Sequence, residues 1–393
     1  MHDVIVVGAR CAGSPLAMLL ARRGYRTLLV DRATFPSDTV STHVIHPPGV
    51  SALRRWGLLD QVVATGCPPV GRYSFDFGPV TLAGAPGTSD SPYAYAPRRQ
   101  LLDQILLDAA ARAGAEVREG FPVAELLVED GAVTGIRGGD GRVERARVVV
   151  GADGRNSVVA KAVQPVAYED HPALTVGYYS YWSNLPTDTF EAYSRPGRGW
   201  AVCPTNDDLT LVIGGWPHAE LARYRDDVEG ELMRMFELSP AFAERIRQAK
   251  REEKFAGSSV PNYFRVPYGP GWALVGDSGY SRDFITAQGI TDAFLDAEEL
   301  AEALDATLGN DVPFADALAG YQARRDARAT PVYQMTLGIA SLQPPDEQMI
   351  GLVSAIAGNQ PAMDAFARLN SGVTSPAEFF APENVARLAG GVP

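Results

Sequence analysis

The sequence predicts an α/β protein: a mostly parallel sheet, a second, antiparallel sheet inserted into it, and a helical C-terminal region. Three observations predict this. An apolar run, Val4-Ile5-Val6-Val7, leads into a glycine turn and a helix. Two later runs, Val148-Val149-Val150 and Ala273-Leu274-Val275, each end in Gly with Asp close behind. Between them, from about 166 to 255, the pattern changes to short aromatic-rich segments with strand character. Near-continuous apolar runs are typical of strands buried on both faces, and alternation of strands with one face open.

The first unit runs from the strand ending at Val7 to Leu28-Leu29-Val30-Asp31-Arg32. Gly8 permits a tight turn off the strand, and Gly13 lets the following helix pack closely on the sheet. Arg10 stands where a second glycine is common, and Cys11 and Ala12 complete the turn; Cys11 is expected to be packed, without a redox role. The helix, Ser14 to Arg23, has Pro15 in its first turn and stops at Gly24. Its N-terminal amides and dipole suit a pyrophosphate. Asp31, about 20 residues on from the glycines, suits ribose hydroxyls. The unit therefore reads as dinucleotide-binding.

A loop follows from Phe35 to His46, then a helix from Pro48 to Trp56 ended by Gly57. The Pro/Gly-rich stretch Cys67 to Pro92 carries a strand, Arg72 to Phe77. Leu101, Leu102, Ile105, Leu106 and Ala109 recur at helical spacing within Arg98 to Ala113. Ala115 to Arg118 reads as another parallel strand. Val123 to Glu129, Ala132 to Arg137 and Arg142 to Val150 form a meander turning at Asp-Gly pairs. Strands Thr175 to Trp182, Thr189 to Tyr193, Trp200 to Cys203 and Leu209 to Gly214 make the second sheet, covered by helices Ala219 to Glu237 and Ala241 to Arg251. Trp272 to Val275 returns to the parallel sheet. The rest is helical: about Gln288 to Leu308, Ala319 to Met335 and Glu347 to Ile356. The implied division gives 1–72, 98–165 and 256–330 to the dinucleotide domain. It gives 73–97 and 166–255 to a substrate domain, and 331–393 to a C-terminal helical region.

Composition narrows the class. The 393 residues carry a formal charge of -12 and no basic block, so a nucleic-acid partner is not expected. No signal peptide and no apolar run long enough to span a bilayer is readable, which points to the cytoplasm. Three scattered cysteines make neither a disulfide framework nor a metal site.

Two further motifs select the dinucleotide. The first is Val148-Val149-Val150-Gly151-Ala152-Asp153-Gly154-Arg155. The second is Gly276-Asp277-Ser278, continuing to Thr286-Ala287-Gln288-Gly289-Ile290-Thr291-Asp292-Ala293. With the N-terminal unit, and in this order, they resemble the FAD fingerprints of the para-hydroxybenzoate-hydroxylase-like superfamily, the class A flavoprotein monooxygenases. That group is itself similar to geranylgeranyl reductases and FAD-dependent halogenases. The resemblance implies a Rossmann-like FAD-binding domain of the glutathione reductase type and non-covalent FAD. Asp277 would accept from a ribityl hydroxyl. Amides near Ala287, Gly289 and Ile290 would face the flavin edge that gains negative charge on reduction. Arg99, in Arg98-Arg99-Gln100-Leu101-Leu102-Asp103, matches the family's Arg at the start of a helix flanking FAD; a guanidinium forks well onto phosphate. Asp153 would cap the helix beginning near Asn156, or touch the cofactor. Ser41 and Thr42 lie in the loop that runs along the flavin in this family. His43, in the same loop, is a candidate proton relay and otherwise a structural histidine.

The resemblance further implies NADH or NADPH as a transient reductant, molecular oxygen as co-substrate and a flavin C4a-hydroperoxide that oxygenates an organic molecule. The aromatic-rich sheet suggests an apolar or aromatic substrate. An oxygen-independent reductase or dehydrogenase of a carbon–carbon bond is the alternative, and a non-catalytic flavin protein a more distant one. Halogenation is not expected: in this family it relies on an early lysine and a Trp-x-Trp-x-Ile-Pro motif, and no Lys precedes Lys161. One departure stands out, Asp283-Phe284-Ile285 where the family has a proline, and Phe284 would narrow the space beside the flavin. Oligomeric state is left open.

Overall fold

The computed structural model describes residues 1–388 and 390. Its first sheet is built around the strand His2–Val7, which lies between Thr27–Val30 and Val143–Gly151 and is parallel to both. Glu116–Arg118 extends the sheet beyond Thr27–Val30, and Trp272–Leu274 extends it beyond Val143–Gly151, again in parallel. The three glycine-terminated strands are thus neighbours, and their carboxyl ends share one edge. In open α/β sheets that edge is where ligands bind.

Both faces of this sheet are covered. Val4, Val6 and Leu29 pack with residues of the helices Gly13–Arg22, Arg99–Arg112 and Gly289–Gly309. Ile5, Val7, Leu28 and Val30 meet the meander through Phe121, Val133 and Ile136. Burial on both sides explains why these strands read as unbroken apolar runs.

The second sheet runs Lys250–Arg251, Thr175–Ser183, Thr210–Pro217, Arg198–Pro204, Phe190–Arg195, Tyr73–Asp76, Thr81–Gly84. Its pairings are antiparallel except one: Phe190–Arg195 pairs in parallel with Tyr73–Asp76. Tyr73–Asp76 enters from a distant part of the chain, and that long connection removes the hairpin constraint enforcing antiparallel pairing. A small third sheet joins Ala167–His171, Asn262–Arg265 and Tyr280–Ser281.

Several helices differ from the sequence reading. The helix expected over Ala219 to Glu237 is broken into a turn at His218–Glu220, Leu221–Tyr224 and Val228–Phe236. Asp227 causes the break: its carboxylate accepts from the Gly230 amide at 3.0 Å and starts a new helix. The next helix, Pro240–Gln248, stops short of Arg251, because Lys250–Arg251 pairs with Trp182 and Ser183 as a strand. Conversely, Phe314–Ala340 continues on both sides of the expected span and passes through Pro331. Buried Ala329, Tyr333, Thr336 and Ala340 hold that stretch against the body of the protein and override the proline. Leu59–Ala64 and Gln360–Asn370 are additional helices.

Candidate functional site

The three glycine turns interlock. Gly8 has φ +105°, and a Cβ there would lie 2.5 Å from the Ala152 carbonyl oxygen. Gly13 backs onto the Gly8 carbonyl so closely that no side chain fits. Gly276 has φ +60°, and its Cβ would meet that of Ala12 at 2.9 Å. Glycine is required at these positions both by backbone conformation and by contact between the motifs.

A buried carboxylate organises the turn. Asp103 is fully buried, and Arg10 donates to it at 2.6 Å, Arg99 at 2.9 and 3.0 Å, and the Cys11 thiol at 3.3 Å. Arg10 also donates to Ser37 Oγ at 2.7 Å, tying the turn to the next loop. Burial pushes the Cys11 thiol up, so it is no nucleophile at neutral pH. Arg99 keeps its charge through the Asp103 carboxylate, with its guanidinium committed inside the protein. Asp31 accepts from the amides of Ala9 at 2.7 Å and Ala33 at 2.8 Å, and Arg32 beyond it is exposed. Asp153 accepts from the Val158 amide at 2.6 Å, at the start of Val158–Val163, where Ser157 is the cap.

Ala287 has φ +54° and leads through Gln288 into the helix Gly289–Gly309. A Cβ on Gly289 would meet only open space, while Ile290 is buried in the core. Asp277 opens onto a small cleft at this helix start, bounded also by Gly276, Arg282, Gly289 and Asp292. Its surface is accessible, yet protein surrounds it closely. That desolvation pushes its carboxyl up to about 6, against the pull of Arg155.

The loop residues Ser41, Thr42 and His43 are not equivalent. Ser41 Oγ accepts from the His43 amide, and Thr42 faces a large cavity. His43 is buried with φ +65°. Its Nδ1 lies 2.8 Å from the Ser41 carbonyl, and its Nε2 lies 2.7 Å from the Tyr181 hydroxyl. The carbonyl can only accept, so Nδ1 carries the proton and Tyr181 donates to Nε2. Burial lowers the imidazole to about 3, helped by Arg99. His43 is therefore neutral at physiological pH, with both nitrogens engaged.

The cavity has a volume of about 450 Å³. Its walls are mostly apolar and include Phe75, Phe190, Trp200, Met335 and Phe366, drawn from the second sheet and the C-terminal helices. At one end it reaches Thr42, His46, Thr286 and Ala287, just before the helix that borders Asp277. Phe284 lines it too, and its ring tip lies 2.4 Å from where a Cβ on Gly177 would sit, so a side chain there would displace the ring. Alternation along Thr175–Ser183 sorts its aromatics. Tyr179 and Tyr181 face His43, whereas Tyr178 stacks on Trp216 beneath the helical cover.

The sequence marks His46 as part of the Ser41-Thr42-His43 loop cluster without giving it a role, and Tyr73 carries no signal. The Tyr73 hydroxyl lies 2.6 Å from His46 Nδ1, and His46 Nε2 donates to the Thr286 carbonyl at 3.2 Å. This buried pair fixes the cavity's polar end. Tyr73 joins His46 only by tertiary contact, which no local spacing announces.

Residues 1–336 match the family described as FAD binding domain. The 6-methylpretetramide 4-monooxygenase of Streptomyces rimosus is 28% identical over 330 residues, covering 75% of this chain and 73% of that one. The menaquinone reductase of Mycolicibacterium smegmatis is 27% identical over 303 residues, covering 73% and 72%. Among solved structures, the myxobacterial chondrochloren halogenase aligns with TM-score 0.80 at 22% identity, covering 99% of this chain and 95% of that one, a likeness of fold. Among the described residues, no helix is long and apolar enough to cross a membrane.

Proposed function

This chain belongs to the FAD binding domain family, and from that premise we propose that it is an NADH- or NADPH-dependent monooxygenase of an apolar, aromatic small molecule. The observation that carries the proposal is the cavity of about 450 Å³, whose polar end abuts the segment leading into the helix Gly289–Gly309. The monooxygenase of similar sequence supports it.

The residues fit the cofactor. Gly8 and Gly13 let the turn pack against the Ala152 motif, which leaves the N-terminus of Gly13–Arg22 to take a pyrophosphate, and Asp31 would stand at the ribose position. Arg10 and Arg99 act through Asp103 to hold the turn in shape. Asp277 would accept from the ribityl chain, and the amides at Gly289 and Ile290 would face the flavin. Bound FAD would supply the electron transfer and oxygen activation. The chain's own work is positioning and exclusion of water: the apolar walls hold a flat substrate, and Phe284 limits its approach. The buried Tyr73–His46 pair braces the polar end of the cavity. His43 fixes the loop that carries Thr42.

The test is turnover with FAD, NADH or NADPH and a panel of phenols, aromatic polyketides and quinones under ¹⁸O₂. A product heavier by one ¹⁸O atom is expected. A second reading, reduction of a carbon–carbon bond without oxygen, is favoured by the menaquinone reductase relative. Turnover that continues anaerobically, with a product gaining two hydrogens, would establish that reading instead.

A further inference from the structure

The wall of the large cavity carries almost no charge. Among the described residues, no lysine or arginine lines its volume of about 450 Å³. Asp346 is the one Asp or Glu on the wall; it is exposed and accepts from the Met349 amide at 2.8 Å, which starts the helix Glu347–Ile356. The other titratable groups that line the cavity are uncharged at neutral pH. Burial holds His46 at about 4 and pushes Tyr73, Tyr193 and Cys203 up, away from ionisation. Neighbouring arginines are committed elsewhere. Arg195 is held by Asp76 at 2.9 Å, Arg198 by Glu220 at 3.0 Å and Glu231 at 2.9 Å, and Arg245 by Glu191 at 2.7 Å. Arg282, whose charge is felt at His46, is held by Asp292 at 2.6 Å. None of these arginines or their carboxylate partners lines the cavity.

A ligand that enters this cavity exchanges water for Phe75, Phe190, Trp200 and Phe366. An uncharged ring gains from that exchange. A carboxylate, sulfate or phosphate loses its hydration and finds no cation to replace it, a far larger cost than an amide or hydroxyl meets. Asp346 at the exposed edge adds repulsion of any anion on its way in. We propose that the cavity selects its substrate by charge: it takes an uncharged ring system, such as a neutral phenol, quinone or polyketide, and refuses a carboxylate, sulfate or phosphate ester of the same shape. This rests on the reading of the cavity as the substrate site of an FAD enzyme, and it narrows that reading from an apolar molecule to one without an anionic group.

The experiment titrates FAD-loaded protein at pH 7 with 6-hydroxy-2-naphthoate and with its carboxamide, by calorimetry. The two probes share shape and hydroxyl and differ in charge. Titrations run in 1 M salt, where the screening length is about 3 Å, so that the net charge of -12 does not decide the result. The carboxamide should bind at least tenfold more tightly than the carboxylate. Ala192→Trp fills the cavity and should weaken carboxamide binding at least tenfold; Met349→Trp, on a different wall, takes its place should the first variant not hold FAD. A preference below tenfold, no binding by either probe, or carboxamide binding that survives filling of the cavity would overturn the proposal. Failure of the wild-type protein to take up FAD would overturn the reading beneath it. A carboxamide that binds selectively yet gains no ¹⁸O with NADH or NADPH counts against oxygenation alone and leaves the charge selection standing.

Discussion

Asp277 and His43 show how the surrounding protein shifts protonation states at this site. The Asp277 carboxyl is pushed up to about 6 by its surroundings. An ionised carboxylate accepts from a hydroxyl more strongly than a protonated one does, so FAD affinity should rise as pH increases from 5 to 7 and level off above. Asp277→Asn should show no such dependence, and Asp277→Ala should lose about 1.5–3 kcal/mol of FAD binding. Fluorescence titration across pH checks both; a wild-type affinity flat from pH 5 to 7 counts against Asp277 as an acceptor. The histidines run the other way. Burial holds His43 at about 3 and His46 at about 4, below the ordinary value of 6.5. A histidine depressed on folding contributes stability that is complete above about pH 6.5 and is lost as pH falls toward the folded value. His43→Asn keeps a residue that tolerates positive φ. It should flatten the acid loss of stability between pH 6.5 and 4 in urea unfolding. If the mutant and wild-type profiles run parallel over that window, His43 is not depressed.

The element that most needs its neighbours is the turn between His2–Val7 and Gly13–Arg22. Two arginines and a thiol converge on Asp103, which comes from a different helix, Arg99–Arg112. Removing the carboxylate leaves two guanidinium groups facing each other in a buried site. Asp103→Ala should therefore cost about 3–5 kcal/mol, the range for breaking a buried pair from one side. Arg10→Ala should cost much less, since Arg99 still pairs with Asp103. Urea denaturation of the two variants ranks them; equal losses would show that Arg10 carries the pairing. The glycine fingerprint marked this turn in the sequence, and Arg10 was visible in the glycine's place. Its partner was not, because nothing in the spacing of Asp103 says that its helix packs beside the first one. The same blindness explains the helix errors: local pattern could not see that Asp227 would cap, that Lys250 would pair as a strand, or that tertiary burial would carry a helix through Pro331.

Across the whole molecule, the candidate cofactor cleft and the cavity share the segment Thr286 to Gly289, while the cavity's far wall belongs to the second sheet and the C-terminal helices. No second glycine fingerprint supplies a nicotinamide domain, so under the proposed function the reductant would reach the flavin at a face the substrate also influences. Substrate should then accelerate anaerobic flavin reduction by about 10²-fold, equivalent to roughly 2.7 kcal/mol of differential binding. Stopped-flow reduction with and without substrate measures this; equal rates would remove gating and strengthen the oxygen-independent reading. The α/β class, the order of the elements, the three glycine motifs and the FAD family were legible in the sequence, because each is encoded locally: glycines where a turn allows nothing else, unbroken apolar runs where strands are buried on both faces. What the tertiary structure alone decided is which side chains meet. The Arg10–Asp103–Arg99 cluster, the Tyr73–His46 pair, the tethered Arg282 and the neutral His43 each join residues far apart in the chain, and their protonation and hydrogen bonding depend on a desolvation that exists only once the chain has folded.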